Sequence, residues 1–197
     1  MEYAERLGCR TAPPDAEPSV GLVECDSIAA GFLVADAVVK ASPVALLWAR
    51  TVSPGHFVVL FAGEVAETEA GLARALEVGG RAVRDQILIP NVHVDLVPAI
   101  RGPRRVELDE ALGVVEATTV ATTVLAADAA AKAAAVDLVE VRLAMHLGGK
   151  GFFLVAGETG DVEEAVAVGA ELARERSALV RDVVIPRLAG ELVEHLF

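Results

Sequence analysis

The chain has 197 residues, of which 54% are hydrophobic and 4% aromatic, and its formal net charge is −12. This composition excludes a wholly disordered chain, and the acidity argues against binding a phosphate backbone through a broad basic face. The longest uncharged segment, 51–63, is shorter than the roughly 20 residues of a membrane-spanning helix, and no basic flank precedes an apolar stretch at the N-terminus. We therefore expect a soluble cytoplasmic protein that binds neither nucleic acid nor membranes.

In chain order, residues 1–18 contain three prolines, which predicts a flexible N-terminal arm. The apolar periodicity and turn residues that follow predict six elements, with Ser27 as a helix cap. These are strand 20–25, helix 27–41, strand 44–50, strand 57–62, helix 64–80 and strand 86–89. Proline, glycine and arginine between 98 and 105 then predict a linker.

The second half of the chain repeats this order. Its predicted elements are strand 112–116, helix 120–134, strands 136–143 and 152–156, helix 159–176, strand 180–185 and a short closing helix over 190–197. Matched segments confirm that the order is a repeat: 21–24 with 113–116, 35–37 with 127–129, 62–64 with 156–158, and 89–90 with 185–186. We call the two halves copy one and copy two.

Each copy therefore reads β-α-β-β-α-β, the α/β (α+β, ferredoxin-like) pattern of an antiparallel sheet with helices on one face. We predict an arm over 1–18, one domain over 19–98, a linker over 99–110 and a second domain over 111–197.

Residues that could carry chemistry are few. The four histidines lie outside metal-binding patterns, and Cys9 and Cys25 are too few for a disulfide scaffold. The glycine-rich loop 148–151 precedes a strand rather than a helix, so a flexible loop is favoured over a phosphate site. Asp36 and Asp128 each precede a lysine by four residues, which predicts a helical ion pair in each copy. We expect no catalytic residues and no metal.

Taken together, these segments resemble the bacterial microcompartment (BMC) shell domain. Two tandem copies, each opened by the Gly-x-Val-Glu strand, resemble the trimeric class of these proteins (BMC-T) in its unpermuted order. The resemblance implies a structural protein whose homotrimer is a flat pseudohexameric tile with a central pore. Such tiles pack beside hexameric and pentameric shell proteins around enzymes. The implied location is the microcompartment shell.

The resemblance also implies roles for individual residues. The loop after the second strand of each copy would line the pore, and lysines at the helix ends would lie at the tile edge. The pore-lining residues would be Ser53, Pro54, Gly55, Leu147, Gly148 and Gly149, and the edge residues Lys40, Lys132, Asn91 and Arg187. Because Asn91 stands where copy two has Arg187, the edges of the two copies should differ.

Some relatives carry a cysteine in the first loop, and three of these bind an iron–sulfur cluster. This chain has Ser53 at that position, and three hydroxyls cannot replace thiolate ligands. We therefore predict no cofactor and no native cluster.

Two other functions are alternatives to the shell tile. Duplicated ferredoxin-like domains also occur as small-molecule-sensing regulatory modules, although such a module is expected beside an effector domain. An enzyme with a site between the two halves would need a convergent set of acids, bases or metal ligands, and the sequence offers none.

Overall fold

The computed structural model describes residues 18–106 and 110–193, and the chain divides into two compact units. Unit one is the chain up to Val92 together with Met145–Gly149, and unit two is His93–Ala144 with the chain from Lys150 onward. Several predictions lie outside the described residues: the arm over 1–17 with Cys9, linker residues 107–109, and residues 194–197 with His195.

Unit one contains a four-stranded antiparallel sheet in the order β2-β3-β1-β4. Its elements are β1 (Ser19–Cys25), α1 (Ile28–Ala41), β2 (Ala45–Val52), β3 (His56–Gly63), α2 (Val65–Gly79), a 3₁₀ turn (Gly80–Ala82) and β4 (Val83–Ile89).

Unit two contains a second antiparallel sheet in the order β6-β7-β5-β8. Its elements are α3 (Leu96–Arg101), β5 (Ala111–Ala117), α4 (Val120–Ala133), β6 (Asp137–Leu143), β7 (Gly151–Gly157), α5 (Thr159–Glu175), β8 (Leu179–Pro186) and α6 (Gly190–Val193). The predicted β-α-β-β-α-β order is confirmed in both copies. Strand ends differ by up to three residues, because pairing with β1 extends β4 back to Val83.

Helix starts follow local side-chain chemistry. The Ser27 Oγ accepts a hydrogen bond from the Ala30 N–H at 3.3 Å, as the predicted cap requires. Glu64 and Glu67 form a reciprocal capping box at the start of α2, in which the Glu64 N–H donates to Glu67 Oε2 at 3.0 Å. The helices therefore begin where the sequence places polar residues before an apolar periodic segment.

The core of unit one lies between its helices and one face of its sheet. The buried side chains there come from β1, β3, α1 and α2: Val23, Cys25, Val34, Ala35, Val38, Phe57, Val59, Phe61 and Ala75. Leu22 and Leu60 are also buried, and side-chain alternation places them on the opposite face of the strands. The two central strands, β1 and β3, are thus buried on both faces, whereas β2 and β4 are partly exposed.

The segment predicted as a linker begins inside a helix. Leu96, Val97, Ala99 and Ile100 are buried in α3, so these residues are part of unit two. Pro98 does not prevent the helix, because it lies in the first turn, where the backbone N–H has no partner within the helix. Proline alone was therefore a poor guide to flexibility at this position.

Candidate functional site

The predicted pore loop of copy one is a tight turn between β2 and β3. The Gly55 N–H donates to the Val52 carbonyl at 3.0 Å, which closes the turn. Gly55 has a φ of 112°, a conformation that glycine adopts readily and other residues rarely. A Cβ atom at this position would have no neighbour within 4 Å, so backbone conformation rather than space favours glycine there.

The predicted pore loop of copy two belongs to the same compact unit as the first loop. The His146 N–H donates to Ser53 Oγ at 3.2 Å. Gly149 lies so close to Pro54 that a Cβ atom on it would be 3.1 Å from the Pro54 Cδ. His146, Gly148 and Gly149 all have positive φ angles, which keep this loop compact. The structure therefore brings together two loops that are more than 90 residues apart in the chain.

An open cavity of about 310 Å³ lies at this junction. Three residues predicted to line the pore, Ser53, Pro54 and Gly55, line this cavity. The lining is Thr51, Val52, Ser53, Pro54, Gly55, Met145 and His146. Leu147 and Gly148 lie on the second loop but not in this lining. Val52 and His146 belong to the two loops that the resemblance places at the pore, whereas Thr51 and Met145 each lie one residue before such a loop.

An ion pair holds the base of each loop. In copy one the fully buried carboxylate of Glu24 lies 3.1 Å from His56 Nδ1 and 3.4 Å from Arg84 Nε. In copy two the partly exposed Glu116 pairs with Lys150 at 2.8 Å. Each glutamate ends the Gly-x-Val-Glu segment, and His56 and Lys150 lie where each loop meets the next strand, whereas Arg84 lies in β4. The two copies thus share this contact but bury it to different extents.

The predicted ion pairs of the helix ends are present in both copies. Lys40 Nζ donates to Asp36 Oδ2 at 2.7 Å, and Lys132 Nζ donates to Asp128 Oδ2 at 2.6 Å. The first pair is largely exposed, whereas the Asp128 side chain is only 5% exposed.

Asn91 and Arg187 follow the last strand of their copies with nearly the same backbone conformation. Their φ angles are 52° and 53°, and both residues are exposed. The Arg187 N–H donates to the Glu110 carbonyl. The backbone therefore presents two different side chains, one amide and one guanidinium, from matching turns.

Cys25 is a buried core residue, as its apolar surroundings predict. Burial, reinforced by the nearby carboxylates of Asp26 and Glu24, raises the pKa of its thiol to about 11. A thiol that remains protonated is a poor metal ligand and a poor nucleophile.

The residues at the loops do not fit an iron–sulfur cluster. Ser53 offers a hydroxyl, whose oxygen already accepts the His146 N–H, in place of a thiolate. Within the described ranges, 18–106 and 110–193, no three His, Cys, Asp or Glu side chains cluster in a way that could hold a metal ion. In the same ranges, no helix is long and apolar enough to cross a membrane.

Comparison with known proteins supplies further evidence. The sequence profile of the BMC domain matches residues 19–92 and 111–188. The chain is 39% identical to the bacterial microcompartment shell protein PduT of Citrobacter freundii, over 86% of this chain and 92% of that protein. It is 28% identical to the carboxysome assembly protein CcmO of a Synechocystis strain, over 91% of this chain and 64% of that protein.

Solved structures agree with these sequence relatives. A microcompartment protein from Desulfitobacterium hafniense superimposes with a TM-score of 0.83 at 42% identity, covering 91% of this chain and 99% of that one. A fused permuted hexameric shell protein of the RMM microcompartment gives a TM-score of 0.65 at 22% identity, covering 89% and 92%. The second match, at this low identity, supports the fold alone.

Proposed function

The chain belongs to the BMC domain family of bacterial microcompartment shell proteins, and we propose that three copies of it form one tile of such a shell. The tile is a pseudohexamer, because each chain contributes two BMC domains. It resides in the microcompartment shell in the cytoplasm and packs beside hexameric and pentameric shell proteins. It binds neither nucleic acid nor membranes. The family is one of structural shell proteins, and we propose that this member has no catalytic activity.

An exposed apolar stripe on α1 carries this proposal. Ile28, Phe32 and Val39 are 40%, 64% and 44% exposed. The residues at matching positions of α4, Val120, Val124 and Ala131, are at most 5% exposed. A contiguous exposed apolar stripe indicates a surface that a partner covers. If each chain leaves one such surface exposed, neighbouring chains in a closed ring can cover it.

The paired loops support a pore at the centre of that ring. We propose that Ser53, Pro54, Gly55, Leu147, Gly148 and Gly149 line it. The Ser53 hydroxyl, the three glycines and the loop backbone would let small polar molecules pass. The contact between His146 and Ser53 supports this role, because it joins the two loops that a threefold axis would alternate. We also propose that Lys40, Lys132, Asn91 and Arg187 lie at the tile edges.

The regulatory alternative gains no support from the relatives reported above, which are described as shell, microcompartment or carboxysome assembly proteins. A sensing module would also need a ligand site, and the loop cavity offers only Thr51, Ser53 and His146 as polar side chains. We propose that the native protein carries no cofactor, since its loop hydroxyl replaces the thiolate that some relatives use.

Light scattering on the purified protein tests the trimer. We expect a mass three times that of the 20.5-kDa chain. Ile28→Asp should yield smaller species, because it places a charge in the stripe while an acidic residue in the first turn of α1 favours the helix. Val65→Asp is the matched control: Val65 is also the first residue of its helix and 38% exposed. A monomeric wild-type protein, or an Ile28→Asp variant that remains trimeric, would contradict the proposal.

A further inference from the structure

The last strand of each copy is followed by the same hydrogen-bonded turn and a helix. At the start of α3, the Leu96 N–H donates to the His93 carbonyl at 3.0 Å. At the start of α6, the Leu192 N–H donates to the Ala189 carbonyl at 2.9 Å. The two pairs of residues are 96 positions apart, which is also the offset of the final matched segments of the repeat. The helices α3 and α6 are therefore matching elements of copy one and copy two.

The helix that follows copy one lies on copy two. Within unit two, α3 packs against β6 and α4. Leu96 of α3 and Leu138 of β6 are both fully buried. The His93 N–H donates to Asp128 Oδ1 of α4 at 2.7 Å, and the Asp128 side chain is only 5% exposed. The surface of copy two that α3 covers thus combines an apolar strand residue with a helical carboxylate.

The matching surface of copy one is exposed. At the repeat offset of 92 residues, Leu46 of β2 corresponds to Leu138. At the same offset, Asp36 of α1 corresponds to Asp128. Leu46 is 42% exposed, and the Asp36 side chain is 54% exposed. Asp36 Oδ2 accepts the Lys40 ammonium, but among the described residues no backbone N–H donates to the Asp36 carboxylate.

The helix that follows copy two is exposed as well. Leu192 of α6 is 44% exposed, whereas Leu96, its counterpart in α3, is fully buried. The sequence match continues past Val193, since Leu196 occupies the position of the buried Ile100. Each chain thus exposes both halves of a contact whose counterpart is complete in unit two. Exposed apolar side chains on two matched surfaces indicate that each surface is covered on assembly.

We propose that α6 of one chain binds copy one of a neighbouring chain between β2 and α1, as α3 binds copy two of its own chain. Leu192 then covers Leu46, and the Ala189 N–H donates to the Asp36 carboxylate. This inference rests on the proposed trimer, in which the two BMC domains of each chain alternate around a closed ring. The helix after each domain binds the next domain, which belongs to the same chain after copy one and to another chain after copy two.

Cross-linking identifies the chain that α6 binds. The double variant Leu46→Cys/Leu192→Cys is made in a Cys9→Ser background, in which the remaining Cys25 is buried. A short bismaleimide should join the two new thiols between chains of the trimer and give covalent dimers and trimers on a denaturing gel. Neither single variant should form them.

The matched control for cross-linking is Leu46→Cys/Val168→Cys. Val168 is also an exposed apolar residue of copy two, at 37%, but it lies on α5. This variant should remain a single chain on the denaturing gel, because the proposal places α6 rather than α5 beside Leu46.

A charge on α6 tests how much the contact contributes to assembly. Leu192→Asp should weaken the trimer, because the carboxylate would be buried against Leu46. We expect the chain concentration at which half of the protein is trimeric to rise at least about tenfold in light scattering of a dilution series. Val168→Asp should change it by less than about twofold. Both variants should keep the far-UV circular dichroism of the wild type, since both residues are exposed in the single chain.

The outcomes separate this inference from the proposed trimer. If the wild type is trimeric but the double variant links only within one chain, or does not link, the inference is wrong. A Leu192→Asp variant that forms trimers at the same concentration as the wild type also overturns it. A wild-type protein that is not trimeric in light scattering contradicts the proposed function instead.

Discussion

The side chain of Phe57 occupies the space where a side chain on Gly31 would begin. A Cβ atom at Gly31 would lie 2.3 Å from the Phe57 Cβ, well inside van der Waals contact. In copy two the sizes are reversed at the matching positions, since a Cβ atom at Gly151 would lie 2.5 Å from the Thr123 Oγ1. In copy one a strand side chain fills the space between helix and strand, and in copy two a helix side chain fills it.

Gly31→Ala should lower the free energy of unfolding, because overpacking costs about 1–3 kcal/mol. The higher helix propensity of alanine compensates for only about 1 kcal/mol of this loss. Because the clash involves the Phe57 Cβ, which is fixed to the backbone, the ring cannot relieve it by rotating. Gly160→Ala is the control, since Gly160 lies in the first turn of α5 with no atom within 4 Å of the added Cβ. Urea unfolding of both variants measures the difference, and equal stabilities would show that the α1–β3 contact is looser than described.

Glu24→Gln should be far more destabilising than Glu116→Gln. Glu24 is fully buried between His56 and Arg84. Replacing its carboxylate by an amide removes the negative charge from this buried contact, which should lower the free energy of unfolding by about 2–4 kcal/mol. Glu116 and its partner Lys150 are 34% and 48% exposed, and losing that pair should cost under about 1 kcal/mol. Thermal unfolding of the two variants compares their stabilities. A similar loss of stability in both would contradict the prediction that the buried pair matters more than the exposed one.

The Cys25 thiol should be unreactive in the folded protein. Its pKa is raised to about 11, so at pH 8 about one thiol in a thousand is ionised. A Cys9→Ser variant leaves Cys25 as the sole cysteine, and its reaction with iodoacetamide should be slow until denaturant is added. Rapid labelling of the folded variant would show that Cys25 is accessible.

The same shift predicts a pH effect on stability. The folded thiol holds its proton to a higher pH than the unfolded one, whose pKa is near the ordinary value of 9.0. Between about pH 9 and 11 the unfolded state therefore binds fewer protons, and this contribution to stability is lost as pH rises. Below about pH 9 it is fully present. Cys25→Ala should remove this part of the pH dependence.

Purified wild-type protein should contain no stoichiometric iron and show no visible absorption from a cluster. Ser53 supplies a hydroxyl where thiolates would be needed. Ser53→Cys should take up iron on anaerobic reconstitution, and Ser177→Cys, a cysteine added elsewhere, should not. Iron bound by the wild type at one cluster per trimer would refute this prediction.

The repeat, the order of elements and the Ser27 cap could be predicted from the sequence because they depend on local chemistry. Ser27 precedes its helix directly, and Asp36 and Asp128 lie one helical turn from their lysines, so spacing alone was enough. The strand ends were less certain, because pairing with a distant strand decides them.

Only the tertiary structure decided how these local features are used. Ser53 and His146 are far apart in sequence, and nothing local indicates that their loops meet. Asp36 and Asp128 occupy the same position of the repeat, yet the Asp36 side chain is exposed, whereas the Asp128 side chain is nearly buried and accepts a hydrogen bond from the His93 N–H. Whether a residue is buried depends on which segments, distant in the sequence, pack against it. Two copies with the same local pattern therefore acquired different surroundings.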